Sequence, residues 1–189
     1  MVYRIVRFVV HLWLHLRFRV SVKGANHIPA CGCILAMNHT SNYDSLLVGT
    51  HTPRKMFIMA KEELFKVRFF AWLITHMGAF PVKRGSADVK SLKQTLKLVQ
   101  EGKIFSIFIE GTRSKTDEMQ EPKKGIGFVV SKSKAPVIPT YVYGAKNGWF
   151  KRAGVIFGQP LHFDESLSYE EIAERIASAI QSLKHQQQA

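Results

Sequence analysis

The 189-residue sequence is poor in cysteine, and its two cysteines do not suggest a stabilising cross-link. Cys31 and Cys33 are too close together for a typical structural disulfide, and no Cys or His partners at metal-ligand spacing accompany them. We therefore expect a reducing compartment or a simple packing role for the cysteines. The chain also has no internal repeat, and its length and 46% apolar residues suit one domain with a real core.

Acidic residues are scarce and unevenly placed. Lys and Arg number 27 against 14 Asp and Glu, a net charge of +13. Five of the acids but only two of the bases lie after residue 163, which leaves residues 1–163 with 25 bases, 9 acids and a balance of +16. Such a field attracts polyanions: nucleic acid, anionic lipid, phosphorylated substrates or acidic carrier proteins. No recognisable RNA-binding signature is present, so we expect no nucleic-acid partner; a non-catalytic basic membrane- or RNA-binding module is the alternative class.

Residues 1–20 contain no acid, glycine or proline. Helical spacing places Arg4, Arg7, His11 and His15 on one face and apolar side chains on the other. A helix of this length, about 30 Å, could span a bilayer, but an arginine near the bilayer centre costs about 2.5–3.5 kcal/mol. We predict that residues 1–19 form an amphipathic helix in the membrane interface, with its basic face towards anionic headgroups. An amphipathic helix docked on the core is the alternative.

The rest of the chain, residues 20–189, alternates short apolar runs with amphipathic segments. This alternation predicts an α/β fold: a single domain with a mixed central sheet flanked by helices. The apolar runs that we expect to be strands include 34–37, 56–60, 104–109, 137–143 and 154–157. The clearest predicted helices are 87–101 and 169–185.

A histidine and an aspartate lie five positions apart directly after the apolar run 34–37. His39 would leave the edge of the sheet, and Asp44 would open the following helix near its N-cap. The intervening turn allows Asp44 to accept a hydrogen bond from one ring nitrogen of His39, so that the other nitrogen faces outward as a general base. A histidine near an aspartate is common, so this pair alone does not establish catalysis.

Two further polar clusters follow apolar strands, at 83–85 and 110–114. If the strands share a sheet, these clusters converge with His39 on one edge. Arginine binds phosphate in bidentate fashion and lysine acts as a point charge, so a base beside them suits a reaction on a hydroxyl of a phosphorylated substrate. Taken separately, each basic cluster would more often be a solvated strand end.

Four motifs in order carry a family resemblance. Asn38–Asp44 matches the NHxSxxD form of the HxxxxD motif of the glycerolipid acyltransferases, and the segments 78–85, 108–114 and 135–139 are similar to the second, third and fourth motifs of that family. The resemblance covers roughly residues 20–160 and is strongest to the short bacterial 1-acylglycerol-3-phosphate acyltransferases. The chain departs from the pattern at Ile109, where the family often has proline, and in having one clear N-terminal helix instead of two.

The resemblance implies transfer of a fatty acyl group from an acyl thioester, acyl-coenzyme A or acyl-carrier protein, to the sn-2 hydroxyl of lysophosphatidic acid. His39 would be the base and Asp44 would fix its tautomer; Lys83, Arg84 and Arg113 would hold the phosphate, and Glu110 would orient the acceptor or an arginine. The substrate-binding set is Ser41, Lys83, Arg84, Gly85, Glu110, Gly111, Thr112 and Arg113.

No cofactor or metal is expected, because the thioester is already activated. The implied location is the cytoplasmic face of the bacterial inner membrane, with residues 1–19 as the membrane-associating helix and residues 20–189 as the acyltransferase domain. Another lysolipid or glycerol-3-phosphate would use similar basic residues. A serine hydrolase is a further alternative, although no GxSxG elbow is present.

Overall fold

A computed structural model describes residues 1–83, 88–114, 116 and 118–188. The strands are β1 (Phe18–Lys23), β2 (Cys33–Met37), β3 (Met56–Lys61), β4 (Ala79–Val82), β5 (Ile104–Phe108), β6 (Val137–Tyr143) and β7 (Lys151–Phe157). The helices are α1 (Val2–Arg17), α2 (Asp44–His51), α3 (Arg68–His76), α4 (Val89–Gln100), α5 (Lys124–Ser133) and α6 (Tyr169–Gln188). Short 3₁₀ turns lie at Ala25–His27 and Glu62–Phe65.

These strands form one mixed sheet in the order β1-β7-β6-β2-β5-β3-β4. Strands β2 to β6 run parallel, β7 is antiparallel to β6, and β1 is parallel to β7. The predicted α/β fold with a mixed, helix-flanked sheet is therefore confirmed. Because the carboxyl ends of β2 to β6 share one edge, the segments that follow these strands meet there, as in other open α/β sheets.

The centre of the sheet is covered on both faces. All five residues of β2 are buried, which is why this strand is a continuous apolar run instead of an alternating one. Leu35 and Met37 pack with buried residues of α1 and α2. Ile34 and Ala36 pack with buried residues of α4, α5 and α6. The two-sided core holds the carboxyl end of β2 rigidly, and the next residues of the chain are the His39 segment.

Helix α1 docks on the domain through a mixed face, on which Leu14 is buried in the core while Arg7 and His11 contact α2. The Arg7 guanidinium donates hydrogen bonds to the carbonyls of Thr50 (3.0 Å) and Thr52 (2.7 Å), at the end of α2. The ring of His11 lies 5.0 Å from that of His51 on α2. Five apolar side chains on the other side of the helix are between 48% and 67% exposed: Ile5, Phe8, Val9, Leu12 and Leu16.

This orientation corrects one expectation about the N-terminal helix. Arg7 is bound to carbonyl groups of the domain and is not turned towards headgroups. The helix also ends at Arg17, two residues before the expected position 19, because Phe18 already pairs with Lys151 in β1 and is buried. Among the residues that the structure describes, no helix combines the length and the apolar character needed to cross a membrane.

Candidate active site

The loop after β2 is pinned to both neighbouring strands. The Asn38 side chain donates to the carbonyl of Val142 (2.9 Å) and accepts from the Val142 amide (2.8 Å), which joins the loop to β6. On the other side, the amide of Ser114 donates to the carbonyl of His39 (2.8 Å). Backbone groups that leave a sheet edge need partners when they are buried, and these bonds supply them. As a result, the position of His39 is set by two strands besides its own.

His39 and Asp44 form a buried, hydrogen-bonded pair. The Nδ1 atom of His39 lies 2.9 Å from Oδ2 of Asp44, and the two residues are 8% and 0% exposed. The same Oδ2 accepts hydrogen bonds from the amides of Thr40 (2.6 Å) and Ser41 (2.7 Å). These donors compensate the carboxylate for the water that it loses on burial. The predicted hydrogen bond between the two side chains is confirmed.

Phe108 orients the imidazole of His39. The two rings are stacked with centroids 3.6 Å apart and an interplanar angle of 15°. Phe108 is the last residue of β5, which pairs with β2 so that Phe108 is opposite Met37. With Nδ1 held by Asp44 and one ring face covered, Nε2 is the nitrogen through which His39 can accept a proton from another molecule.

Glu110 links the loop that contains His39 to the loop that contains Gln120. It is fully buried; its Oε1 accepts from the amide of His39 (2.9 Å) and its Oε2 from the amide of Gln120 (3.0 Å). The family resemblance predicts Glu110 to be a substrate-binding residue. The structure instead turns both of its carboxylate oxygens towards backbone amides of the protein, because β5 lies directly beside β2.

The basic residues lie at the same edge of the sheet and are exposed. Lys83 follows β4, and Arg113 follows β5. Neighbouring strands are about 4.8 Å apart, so the two strand ends, which are separated by β3, are about 10 Å from each other. Arg84 and Gly85, which were also predicted to bind substrate, lie outside the described residues.

Asp88 links the end of β4 to the start of α4. Its carboxylate accepts hydrogen bonds from the amides of Lys83 and Ser91 (both 3.1 Å) and from the Ser91 hydroxyl (2.8 Å). These donors, led by the Lys83 amide, lower the pKa of Asp88 to about 2. Asp88 is thus the N-cap of α4 and at the same time fixes where the chain leaves β4.

The other predicted contacts are spread over the two loops. Gly111 has a left-handed φ of 70°, which favours glycine at this turn. Thr112 is exposed and lies 3.4 Å from the Gln120 side chain. The Ser41 hydroxyl accepts from the amide of Tyr43 (3.3 Å). These residues therefore shape the loops, and Lys83 and Arg113 supply the charge.

The geometry disfavours the serine hydrolase alternative. Ser114 is the buried serine of the site, and its hydroxyl donates to the carbonyls of Glu118 (2.7 Å) and Thr116 (3.0 Å). Within the described residues, no serine hydroxyl is hydrogen-bonded to His39. The arrangement instead suits removal of a proton from an incoming hydroxyl group next to exposed cations.

The Acyltransferase family model matches residues 19–143, which is more than half of the sequence. The chain belongs to the acyltransferase family. The family resemblance seen in the four motifs is thereby confirmed, and the matched segment runs from β1 to β6 and contains the whole of the site.

Named relatives of this acyltransferase agree with the family match. It is 32% identical over 176 residues to a 1-acyl-sn-glycerol-3-phosphate acyltransferase of Bacillus subtilis, covering 90% of this chain and 87% of the relative. It is 28% identical over 177 residues to an enzyme of the same name from Pseudomonas aeruginosa, covering 82% and 68%. In fold it is similar to the 1-acyl-sn-glycerophosphate (LPA) acyltransferase PlsC of Thermotoga maritima, with a TM-score of 0.81, 22% identity, and 98% and 79% of the two chains covered.

Three supporting residues of the acyltransferase site were not predicted from the sequence. Asn38 and Ser114 lie within the quoted motifs. The motifs do not show that the Asn38 side chain and the Ser114 amide bind other segments of the chain. Phe108 ends an apolar strand and is indistinguishable there from a core residue. Only the pairing of β2 with β5 and β6 places all three around His39.

Proposed function

We propose that this acyltransferase moves a fatty acyl group from an acyl thioester to the sn-2 hydroxyl of lysophosphatidic acid, which gives phosphatidic acid for phospholipid synthesis. The buried His39–Asp44 pair carries the proposal, since it holds an oriented base at a sheet edge that also bears exposed cations. The names of the relatives support lysophosphatidic acid as the acceptor. Either acyl-coenzyme A or acyl-carrier protein would serve as the donor, because both are anionic thioesters.

In the proposed reaction, Nε2 of His39 takes the proton from the acceptor hydroxyl as its oxygen attacks the thioester carbonyl. Asp44 stabilises the resulting imidazolium through Nδ1. The tetrahedral intermediate then breaks the carbon–sulfur bond, and the imidazolium returns its proton to the departing thiolate. A positioned base of this kind contributes about 10²–10⁴ in rate.

The phosphate of the acceptor is assigned to Lys83, Arg84 and Arg113. Lys83 and Arg113 are exposed and follow parallel strands on either side of β3, so one phosphate-bearing headgroup can be approached from both. Gly85, Gly111, Thr112 and Ser41 complete the proposed contacts through their loops. For Glu110 we propose a positioning role, because both of its oxygens are occupied by backbone amides.

We further propose that the enzyme works on the cytoplasmic face of a membrane, with α1 lying in the interface. Helix α1 is docked on the domain through Arg7 and the buried Leu14, and a stripe of five apolar side chains on its other side faces solvent. A helix that only packed on a soluble core would not leave an apolar stripe of this size exposed. Helix α3 contains no buried residue and adds Phe69 (73% exposed) and Trp72 (46% exposed). Exposed apolar side chains in this number are typical of a membrane-binding surface.

The decisive experiment is acyl transfer by the purified His39→Ala variant in lipid vesicles. We expect a loss of about 10²–10⁴ in rate, measured on a variant that circular dichroism shows to be folded at the assay temperature. The exposed His162 supplies the matched control, because His162→Ala changes the same residue type outside the site and should keep wild-type activity. Near-wild-type transfer by His39→Ala would disprove the assignment of the base.

The substrates are tested separately, with both donors against lysophosphatidic acid, glycerol-3-phosphate and other lysolipids, and with products read by mass spectrometry. Arg113→Ala should mainly raise the KM for the acceptor, whereas Lys97→Ala, on the exposed side of α4, should not. An Arg113→Ala effect confined to the donor would contradict the phosphate assignment. Release of free fatty acid without any acceptor would indicate a hydrolase instead.

A further inference from the structure

Three histidines outside the active site meet where α1 packs on α2. His11 and His15 lie one turn apart on α1, and His51 is the last residue of α2. Their ring centroids are 4.2, 5.0 and 5.5 Å apart, and one ring nitrogen from each lies within 4.8 Å of the other two. A tetrahedral zinc ion, with bonds of about 2.0–2.1 Å, holds its nitrogen ligands about 3.4 Å apart. To bind zinc in this way, any two of these nitrogens would have to move closer together by at most about 1.5 Å.

Two of the rings already have the tautomer that binds metals. His15 Nδ1 donates to the carbonyl of His11 (2.9 Å), and His51 Nδ1 donates to the carbonyl of Leu47 (2.8 Å). The proton is therefore on Nδ1 in each ring, and Nε2 carries the lone pair. A backbone carbonyl on the second nitrogen is the usual support of a metal-bound histidine.

The Nε2 atom of His51 is buried and has no hydrogen-bond partner among the described residues. Buried polar atoms without a partner are rare in folded proteins, and an absent ligand is one of their common explanations. Burial lowers the pKa of His51 and of His11; at His51 the hydrogen bond to the Leu47 carbonyl opposes this shift.

The donor set indicates the class of metal. Within the described part of the chain, no Asp or Glu belongs to the cluster. Magnesium and calcium prefer oxygen ligands, whereas imidazole suits zinc, copper and nickel. His15 is exposed, so an ion can enter from solvent. Arg7 stands next to the cluster and will weaken the binding of any cation, although its guanidinium is itself bound to the carbonyls of Thr50 and Thr52.

We propose that His11, His15 and His51 form a binding site for one divalent transition-metal ion, Zn²⁺ above all, that clamps α1 to α2. His51 is about 10 Å along α2 from Asp44, so this ion would not take part in the reaction at His39. Its role would be to hold α1 with the apolar side facing outward. A metal ion here would depart from the sequence expectation of no metal, which was based on the thioester being already activated.

The test is zinc binding by the untagged, full-length chain after removal of metal with a chelator. Competition with a chromophoric chelator and a Zn²⁺-dependent rise in melting temperature are the two measurements. We expect one ion per chain, and His15→Ala should weaken binding at least tenfold and abolish the thermal shift; His15 is exposed, so this variant should fold. His51→Ala should have the same effect.

His76 provides the matched control. It is exposed on α3, and its Nδ1 likewise bonds a backbone carbonyl one turn earlier, that of Trp72 (2.8 Å). His76→Ala should bind zinc as the wild-type protein does. The proposal is overturned if the wild-type chain binds no zinc, if His15→Ala and His51→Ala keep wild-type affinity, or if His76→Ala loses as much. Because binding is read without acyl transfer, this outcome is independent of the proposed function.

Discussion

Replacing Asp44 by asparagine separates the charge of this residue from its hydrogen bonds. The Oδ2 atom accepts from three donors, His39 Nδ1 and the amides of Thr40 and Ser41. The amide oxygen of asparagine can take this place, while its NH₂ group faces the Thr40 hydroxyl, which lies 3.4 Å from Oδ1. Asp44→Asn should therefore fold normally and lose only the negative charge behind the imidazole.

The size of the effect follows from the geometry of the pair. Opposite charges about 4 Å apart interact by about 4 kcal/mol at an effective dielectric constant of about 20, which is about a thousandfold in rate and an upper limit. A net charge-assisted hydrogen bond of about 1.5–3 kcal/mol corresponds to about 10- to 150-fold. We expect kcat to fall within this span, from about tenfold to about a thousandfold. The KM values should not change, because the imidazolium forms only during the reaction.

The assay is thioester consumption in vesicles by the purified variants, together with thermal unfolding. Asp44→Ala is the comparison. It removes the acceptor of the buried His39 Nδ1 and of the partly buried amides of Thr40 and Ser41, so it should unfold at a lower temperature than Asp44→Asn. If Asp44→Asn unfolds like the wild-type protein and keeps its kcat within threefold, the carboxylate does not stabilise the imidazolium, and the proposed use of the pair is wrong.

Three further predictions concern a thiol, a helix cap and the membrane surface. Burial raises the pKa of Cys33 to about 11, so a thiol reagent at neutral pH should label one cysteine in the folded protein and two after unfolding. The pKa of Asp88 is lowered to about 2, so its carboxylate stabilises the fold at neutral pH, and this stabilisation is lost as the pH falls through about 2. Asp88→Ala should therefore lower the melting temperature more at pH 7 than at pH 2. Changing Phe8 and Leu12 together to serine should reduce vesicle binding at least about a hundredfold, since a buried side chain of this size contributes about 1.5–3 kcal/mol, whereas Val89→Ser on α4 should not.

The sequence by itself was sufficient for the strands and for the hydrogen-bonded pair of His39 and Asp44. A run such as 34–37, apolar at every position, belongs to a strand that is covered on both faces, and β2 is buried throughout. His39 and Asp44 are separated by one turn, so their hydrogen bond depends on local geometry. Such features are predictable because the interacting groups are close together in the chain.

Only the tertiary structure shows which groups bind each other when they are far apart in the chain. Glu110 is 71 residues from the His39 amide that it binds, and no pattern in the sequence tells a carboxylate under a loop from one that faces a substrate. The period of α1 predicted two faces, but not which side would dock and bring His11 and His15 against His51. A helical period determines which residues share a face; what covers that face depends on how strands and helices pack.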